Sequence, residues 1–276
     1  MDGVQPPVHF TQSAKARQLT SAEKAQYERD GYVKNLPVFA PEGVESLQAL
    51  FEELASRMPE DITLSSVNMW HKASRKFFDL CRTPAILDYV EDLIGPDFYQ
   101  WGGQFFAKFP NDGSIVPWHQ DAQYWPLKPQ RTVTVWLAVF DADLENAAMQ
   151  IVKGSHTQGI FHHHVNNAPH LALEQEVSDD QIDADNTVTL DLKAGEISLH
   201  DDGLLHGSGP NVSDRIRAGI TMRFCPTNVV GDLSVWPNHE AYMARGTDRY
   251  NLNPVGPTPT RELFPVRKFQ HSSEFS

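Results

Sequence analysis

The chain has 276 residues, 40% hydrophobic and 21% charged, with a formal net charge of −13 and an isoelectric point near 5.3. This composition suits a folded protein long enough to bury a core. The acidic excess disfavours nucleic acid, whose phosphates need a basic face, and weighs lightly against a highly anionic CoA ester as substrate. The sequence has no run of about 18 apolar residues, so no membrane span is expected. Met1 to Ser13 show no basic start followed by an apolar stretch, so no secretory signal is expected either. Cys81 and Cys225 cannot build a disulfide framework, and both lie in apolar contexts. Reduced, buried thiols in the cytoplasm are the expectation.

In chain order, Thr20-Ser21-Ala22-Glu23 has the form of a capping box, which predicts a helix to about Arg29, stopped by Gly31. Pro41 opens a second helix, with Val44, Leu47, Leu50, Phe51 and Leu54 at helical spacing. A third helical region spans about Ser74 to Leu93, breaks at Thr83-Pro84 and stops at Gly95-Pro96. From Phe98 the period changes. Phe98 to Phe109 is aromatic and strand-like, and Arg131 to Phe140 alternates with Val133, Val135, Leu137 and Val139 on one side. Ala148 to Val152, Thr187 to Leu192, Glu196 to His200 and Arg217 to Cys225 are further short strands, with a turn at Lys193-Ala194-Gly195-Glu196. The polar segment Phe161 to Asp185 is too long for a tight turn and is expected to cover a site mouth. Within it, His162-His163-His164 is expected to be a polar loop, because adjacent strand residues cannot all face one ion. After Val229 the chain is expected to wrap irregularly over the core. Helices first and many short strands later indicate an α+β, mainly β chain with a sandwich core.

The chemistry concentrates in His119-Gln120-Asp121, His206 and Arg217. A histidine and a carboxylate two residues apart project from the same side of an extended segment. A distant histidine can then complete one face of a metal, the two-His, one-carboxylate set of non-heme Fe(II) oxygenases. With 12 His and 36 Asp plus Glu, a chance triplet of this form is expected, so it means little by itself. His200 competes with His206 for the distal place: six residues apart on one strand, both would point the same way. Arg217 could give a carboxylate a fixed two-pronged partner. Arg215, two residues away, could share its face, and Arg223 lies nearby.

Context narrows these choices. Val116-Pro117-Trp118-His119-Gln120-Asp121-Ala122-Gln123-Tyr124-Trp125-Pro126, and later Leu205-His206-Gly207-Ser208-Gly209-Pro210-Asn211 with Ser213 and Arg217, resemble the phytanoyl-CoA dioxygenase (PhyH-like) family of Fe(II)/2-oxoglutarate oxygenases. Thr134-Val135-Trp136-Leu137-Ala138, the stretch from Asn146 to Gly154-Ser155-His156, and the opening around Tyr27 to Val33 fit as well. The resemblance covers roughly residues 18 to 228. It implies a double-stranded β-helix, a cupin-like jelly roll of about residues 98–228, flanked by N-terminal helices of about 18–95 and followed by a wrap of 229–276, all in one domain. It implies His119, Asp121 and His206 as metal ligands, Arg217 as anchor of the distal carboxylate of 2-oxoglutarate, and Ser208 on that same carboxylate. Trp136 falls on a tryptophan lining the co-substrate pocket, Gln104 on a position that touches 2-oxoglutarate in some members, and Lys72 on a looser candidate for co-substrate or substrate. The His-Gly-Ser-Gly context favours His206 over His200.

The resemblance further implies Fe(II), 2-oxoglutarate and O2 as cofactor and co-substrates, with succinate and CO2 as co-products. Related halogenases carry a small residue where Asp121 stands, so hydroxylation of a C–H bond is expected here in place of halogenation. Ala147 and Ala148 depart from the usual glycine-containing pair after Asn146, and Lys153 from the usual proline before Gly154; these bear on turn shape, not on the metal. Trp70, Trp101, Trp118, Tyr124 and Trp125 could receive a cationic amine or flat ring, or could simply pack. The expected substrate is a small polar amine, amino acid or aminophosphonate, then a natural-product intermediate, handled by a monomer or homodimer without nucleic-acid or membrane partners. The alternative is a metal-binding jelly roll that senses a ligand without turnover, in which Arg217 and Ser208 would have no purpose.

Overall fold

A computed structural model describes residues 6–60 and 62–262. Helix α1 (Ser21–Asp30) opens on the expected capping box: Glu23 N–H donates to Thr20 Oγ1 and Thr20 N–H to Glu23 Oε2. It ends at Gly31, whose φ of 81° requires glycine's freedom. The predicted all-helical N-terminal part then needs a correction. Strand β1 (Tyr32–Pro37) follows directly and puts Val33 and Leu36 into the core. Six residues with a register irregularity give too little alternation to be seen in sequence. Helix α2 (Pro41–Ser56) buries Leu47, Leu50, Phe51 and Leu54 as its spacing predicts. The third helical region is two pieces, α4 (Arg75–Leu80) and α5 (Pro84–Ile94), with the break at Pro84 as expected, and a further short helix α3 (Trp70–Ala73) precedes them.

The β portion comprises β2 (Phe98–Lys108), β3 (Val116–His119), β4 (Leu127–Lys128), β5 (Val133–Ala138), β6 (Gln150–Val152), β7 (His163–Val165), β8 (Gln175–Val177), β9 (Thr187–Thr189), β10 (Glu196–Asp201), β11 (His206–Ser208), β12 (Arg217–Pro226), β13 (Val230–Gly231) and β14 (Tyr242–Arg245). A six-stranded antiparallel sheet runs β1-β10-β5-β12-β2-β14, and a four-stranded one runs β3-β11-β6-β9. Together they make the jelly roll, and the fold is α+β with a dominant β core. Strand β14 corrects the reading of the C-terminal wrap as wholly irregular, since it forms an edge of the large sheet against β2. The triple histidine also differs from expectation. His163 and His164 lie in β7, paired to β8 as a small separate ribbon. Both strands are three residues long and half-exposed, so they show no readable period.

Alternation decides what each side of the large sheet does. Val133, Val135, Leu137, Ile197, Leu199, Ala218, Ile220, Met222 and Phe224 face α2, α4 and α5 and form the main core with Phe77, Ile86 and Phe105. The opposite side carries Trp136 and Ala138, which meet Ile151 and Met149 from the small-sheet side in a second cluster. The helices therefore back the large sheet, and its other face is left for a cavity between the two sheets.

Candidate metal centre and co-substrate pocket

Strands β3 and β11 are hydrogen-bonded neighbours, and their register sets His119 directly across from His206. The two imidazole centroids lie 4.1 Å apart. Gln120 is extended, and Asp121 begins the short helical turn Asp121–Gln123, so His119 and Asp121 flank one extended residue. Candidate ligand atoms of His119, Asp121 and His206 all lie within 4.8 Å of one another, and all three residues are buried. His119 Nε2 stands 3.7 Å from Asp121 Oδ1.

The chemistry of this donor set fits a metal. His119 Nδ1 donates to Pro117 O and His206 Nδ1 donates to Leu204 O, each at 2.8 Å. A carbonyl only accepts, so both protons sit on Nδ1 and both Nε2 lone pairs are free, the tautomer a metal requires. Burial pushes His206 well below the ordinary histidine range, which keeps it neutral and able to ligate.

Gln120, the middle residue of the triplet, has a structural task that the sequence did not announce. Its buried amide donates to Gly159 O at 2.9 Å and Gly203 O at 2.7 Å and accepts from Phe161 N–H at 2.7 Å. It thereby ties the ligand segment to two neighbouring loops. His163 adds a further tie, accepting from Gln120 N–H at 3.2 Å.

Beside the three candidate ligands lies a narrow cavity, lined by Trp136, Met149, Ser208, Arg217 and Thr221 among others. Arg217 is 3% exposed. Its Nε donates to Ala147 O at 3.0 Å, Nη1 to Phe106 O at 3.3 Å and Nη2 to Ser208 Oγ at 3.0 Å. Those neutral acceptors orient it, but no carboxylate among the described residues forms an ion pair with it. Burial lowers its pKa to about 10. A guanidinium held this way is a site for an external anion. Lys108 sits opposite it in the β2–β12 register, its pKa brought down to about 7 by burial and then by Arg217. Trp136 packs near Arg217, ring centroid 5.9 Å from the guanidinium carbon. Gly219 makes this possible: a Cβ there would lie 2.1 Å from the Trp136 ring.

The sequence candidates thus divide. His119, Asp121, His206, Ser208, Arg217 and Trp136 share one cavity. Gln104 does not line it, contrary to expectation: its amide donates to Ser65 O at 2.9 Å, and it borders only a wider outer cleft. Lys72 is likewise committed elsewhere, paired with Glu240 at 3.0 Å and donating to Asn238 O. Arg215 is part-exposed on Asp143 and Glu145, which separates it from Arg217. His200 lines the cavity, its ring 5.0 Å from that of His206, but it is not among the three converging ligands. Burial takes it down to about 4. Thr134, Met149, Thr221 and Arg223 also line the cavity and had been passed over; strand alternation from Arg217 and Trp136 would have found three of them.

A jelly roll with two histidines, one aspartate and a buried, anion-free arginine in one cavity defines a non-heme Fe(II), 2-oxoglutarate-dependent oxygenase. Residues 27–219 match the model of the phytanoyl-CoA dioxygenase (PhyH) family, and the chain belongs to that family. It is 28% identical to a phytanoyl-CoA dioxygenase domain-containing protein 1 homolog of Dictyostelium discoideum over 171 residues, 60% of this chain and 61% of that protein. The chain therefore spans under two thirds of that relative. It is 25% identical to an ectoine dioxygenase of Bordetella parapertussis, covering 79% of each chain. Among solved structures it resembles the apo form of the non-heme monooxygenase ThoJ, with a TM-score of 0.73, 25% identity, and coverage of 89% of this chain and 91% of that one.

Proposed function

We propose that this chain hydroxylates a C–H bond of a small polar metabolite, with His119, Asp121 and His206 as its metal ligands. The observation that carries this reading is one cavity holding both the converging ligand trio and the anion-free Arg217. Fe(II), 2-oxoglutarate and O2 supply the oxidation, one oxygen atom entering succinate as CO2 is lost and the other entering the substrate as an alcohol. The chain's own residues bind and orient. His119, Asp121 and His206 would hold the metal, which would supply the oxidising centre beside the cavity. Arg217 and Ser208 receive the distal carboxylate of the co-substrate, and Trp136 forms a wall beside it. The carboxylate of Asp121 takes the place a halide would need, so the product is hydroxylated.

The substrate reaches the site through the outer cleft of about 1820 Å³, bordered by Trp101, Tyr124, Trp125 and Trp236 and by Ala172 to Gln175 from the long polar segment. An amine, amino acid or aminophosphonate fits this reading best, then a natural-product intermediate; the Bordetella relative is named for ectoine, itself a small molecule. No helix among the described residues is long and apolar enough to cross a membrane. Cys81 and Cys225 are buried free thiols, pushed up to about 12 by burial, which suits the cytoplasm we propose. The test is a metabolite screen by oxygen consumption with Fe(II) and 2-oxoglutarate, scored by succinate release and a product heavier by one oxygen, with excess chloride present. Succinate release with an oxygenated product is expected. A chlorinated product would refute the role of Asp121, and metal and 2-oxoglutarate binding with no turnover across the screen would favour a ligand sensor.

A further inference from the structure

Strand β12 presents Arg217, Gly219, Thr221 and Arg223 on its pocket side, since successive side chains alternate. Arg217 is accounted for by the co-substrate. Arg223 lies some 20 Å further along the strand by its rise per residue, and it borders both the inner cavity and the outer cleft. The Nε of Arg223 is buried without a partner. No ion pair or hydrogen bond ties its guanidinium to another described residue. What surrounds it is aromatic: its guanidinium carbon is 5.0 Å from the Trp125 ring centroid and 5.7 Å from that of Trp101. Cation–π contact offsets part of the desolvation, but it leaves the in-plane N–H donors without an oxygen.

Space has been made for this side chain. Gly102 stands opposite Arg223 in the β2–β12 register, and a Cβ at Gly102 would meet Arg223 Cδ at 2.9 Å. The local charge points the same way. The protein carries −13 overall, yet the cleft wall next to Asp121 offers Arg223, Arg217 and Lys108 against the exposed Glu174. With Asp121 given to the metal, Arg217 to the co-substrate and the Lys108 ammonium already donating to the carbonyls of Ser114, Ser208 and Gly209, Arg223 is the cation left facing an entering molecule.

We propose that Arg223 is the substrate-anchoring residue and that the substrate carries a carboxylate, received by the Arg223 fork between the metal and the Trp101–Trp125 wall. This rests on the oxygenase reading, which places substrate in the same cleft. It narrows the expected metabolites to those bearing a carboxylate, amino acids among them, and removes simple amines.

The test uses the whole chain with Zn(II) replacing iron and saturating 2-oxoglutarate, so that the Arg217 site is filled. Binding is measured by calorimetry for straight-chain monocarboxylates from acetate to octanoate and for benzoate, each against its neutral amide and corresponding amine. At least one carboxylate should bind saturably, with its amide about tenfold or more weaker, the loss of one charge-assisted hydrogen-bonded contact. R223Q should lose about tenfold or more in affinity for that carboxylate and keep 2-oxoglutarate affinity within about threefold. R223K should fall between, having the charge but not the fork. Melting curves establish that the variants fold, and the carboxylate–amide comparison on the unmutated protein stands without them. No binding by any carboxylate, equal binding of acid and amide, or R223Q indistinguishable from the unmutated chain would overturn the proposal. Loss of 2-oxoglutarate binding in R223Q would overturn it too, by assigning Arg223 to the co-substrate. Failure of the unmutated chain to bind 2-oxoglutarate sinks the oxygenase reading instead, and R217Q beside R223Q then shows which arginine holds the probe.

Discussion

The two sides of β12 share one backbone but have opposite chemistry. Ala218, Ile220, Met222 and Phe224 are fully buried against the helices and contribute apolar area. Arg217, Thr221 and Arg223 line the cavity, and two of the three, the buried Arg217 and the half-buried Arg223, are cations whose desolvation costs stability. The helix-facing side carries the fold, and the pocket side draws on that stability to hold two guanidinium groups ready for anions. Burial alone does not separate the two; the partner does. Every apolar residue on one side has neighbours of its own kind, whereas no carboxylate among the described residues forms an ion pair with either arginine, Asp112 and Asp121 acting on them only through space.

Substitutions on the two sides should therefore fail differently. Phe224→Ala empties a core site and should cost about 3–5 kcal/mol of stability, read as a lowered denaturation midpoint. In the remaining folded protein its 2-oxoglutarate affinity should stay within about threefold of normal; a large loss would erase the contrast. Arg217→Ala should do the reverse, weakening 2-oxoglutarate by about 10- to 100-fold (roughly 1.5–3 kcal/mol) while metal loading holds. Arg215→Ala, on a part-exposed ion pair, should barely move the denaturation midpoint and leave co-substrate binding alone. If Arg215 proves to be the sensitive one, the assignment of faces is wrong.

Gly219→Ala sharpens the comparison, because a methyl group on the pocket side strikes the Trp136 ring. Overpacking of this kind costs about 1–3 kcal/mol, and here it should also shift Trp136 and weaken 2-oxoglutarate in a calorimetric titration. A pH-dependent effect lies in the C-terminal wrap. His239 is buried with Nε2 unpartnered, and burial first, then Lys72, takes it down to about 4. Between pH 6.5 and 4 the unfolded chain takes up a proton that folded His239 refuses, so stability falls as pH falls through that window. The share of His239 should be about 2 kcal/mol at pH 5. His71 and His200 act with the same sign, so His239→Gln should flatten the denaturation profile over that range only in part.

Much of this was legible in the sequence wherever period and chemistry coincided. The alternation of Val133, Val135 and Leu137 gave a core strand, the Thr20–Glu23 box gave a helix start, and the triplet with His206 pointed to three side chains that converge in space. Short, half-exposed elements were not legible: β1, β7 and β14 have three to six residues and no clean period. Gln104 shows a different limit. A polar residue on a pocket-lining strand can be taken by a local carbonyl, here Ser65 O, and only the three-dimensional neighbour reveals it. Arg223 shows the converse. It was set aside as a bystander to Arg217, and its meaning came from the absence of a partner, which a sequence does not record.

The central claim is that one metal is held by His119, Asp121 and His206 with Arg217 behind it. A crystal structure of the protein with Mn(II) and 2-oxoglutarate under anaerobic conditions tests this most directly through the anomalous signal of the metal. The account predicts a single metal bound by those three side chains and no fourth protein ligand, with the distal carboxylate of 2-oxoglutarate on Arg217 and Ser208. A metal bound by His200 in place of His206, a fourth protein ligand, or 2-oxoglutarate seated away from Arg217 would contradict it.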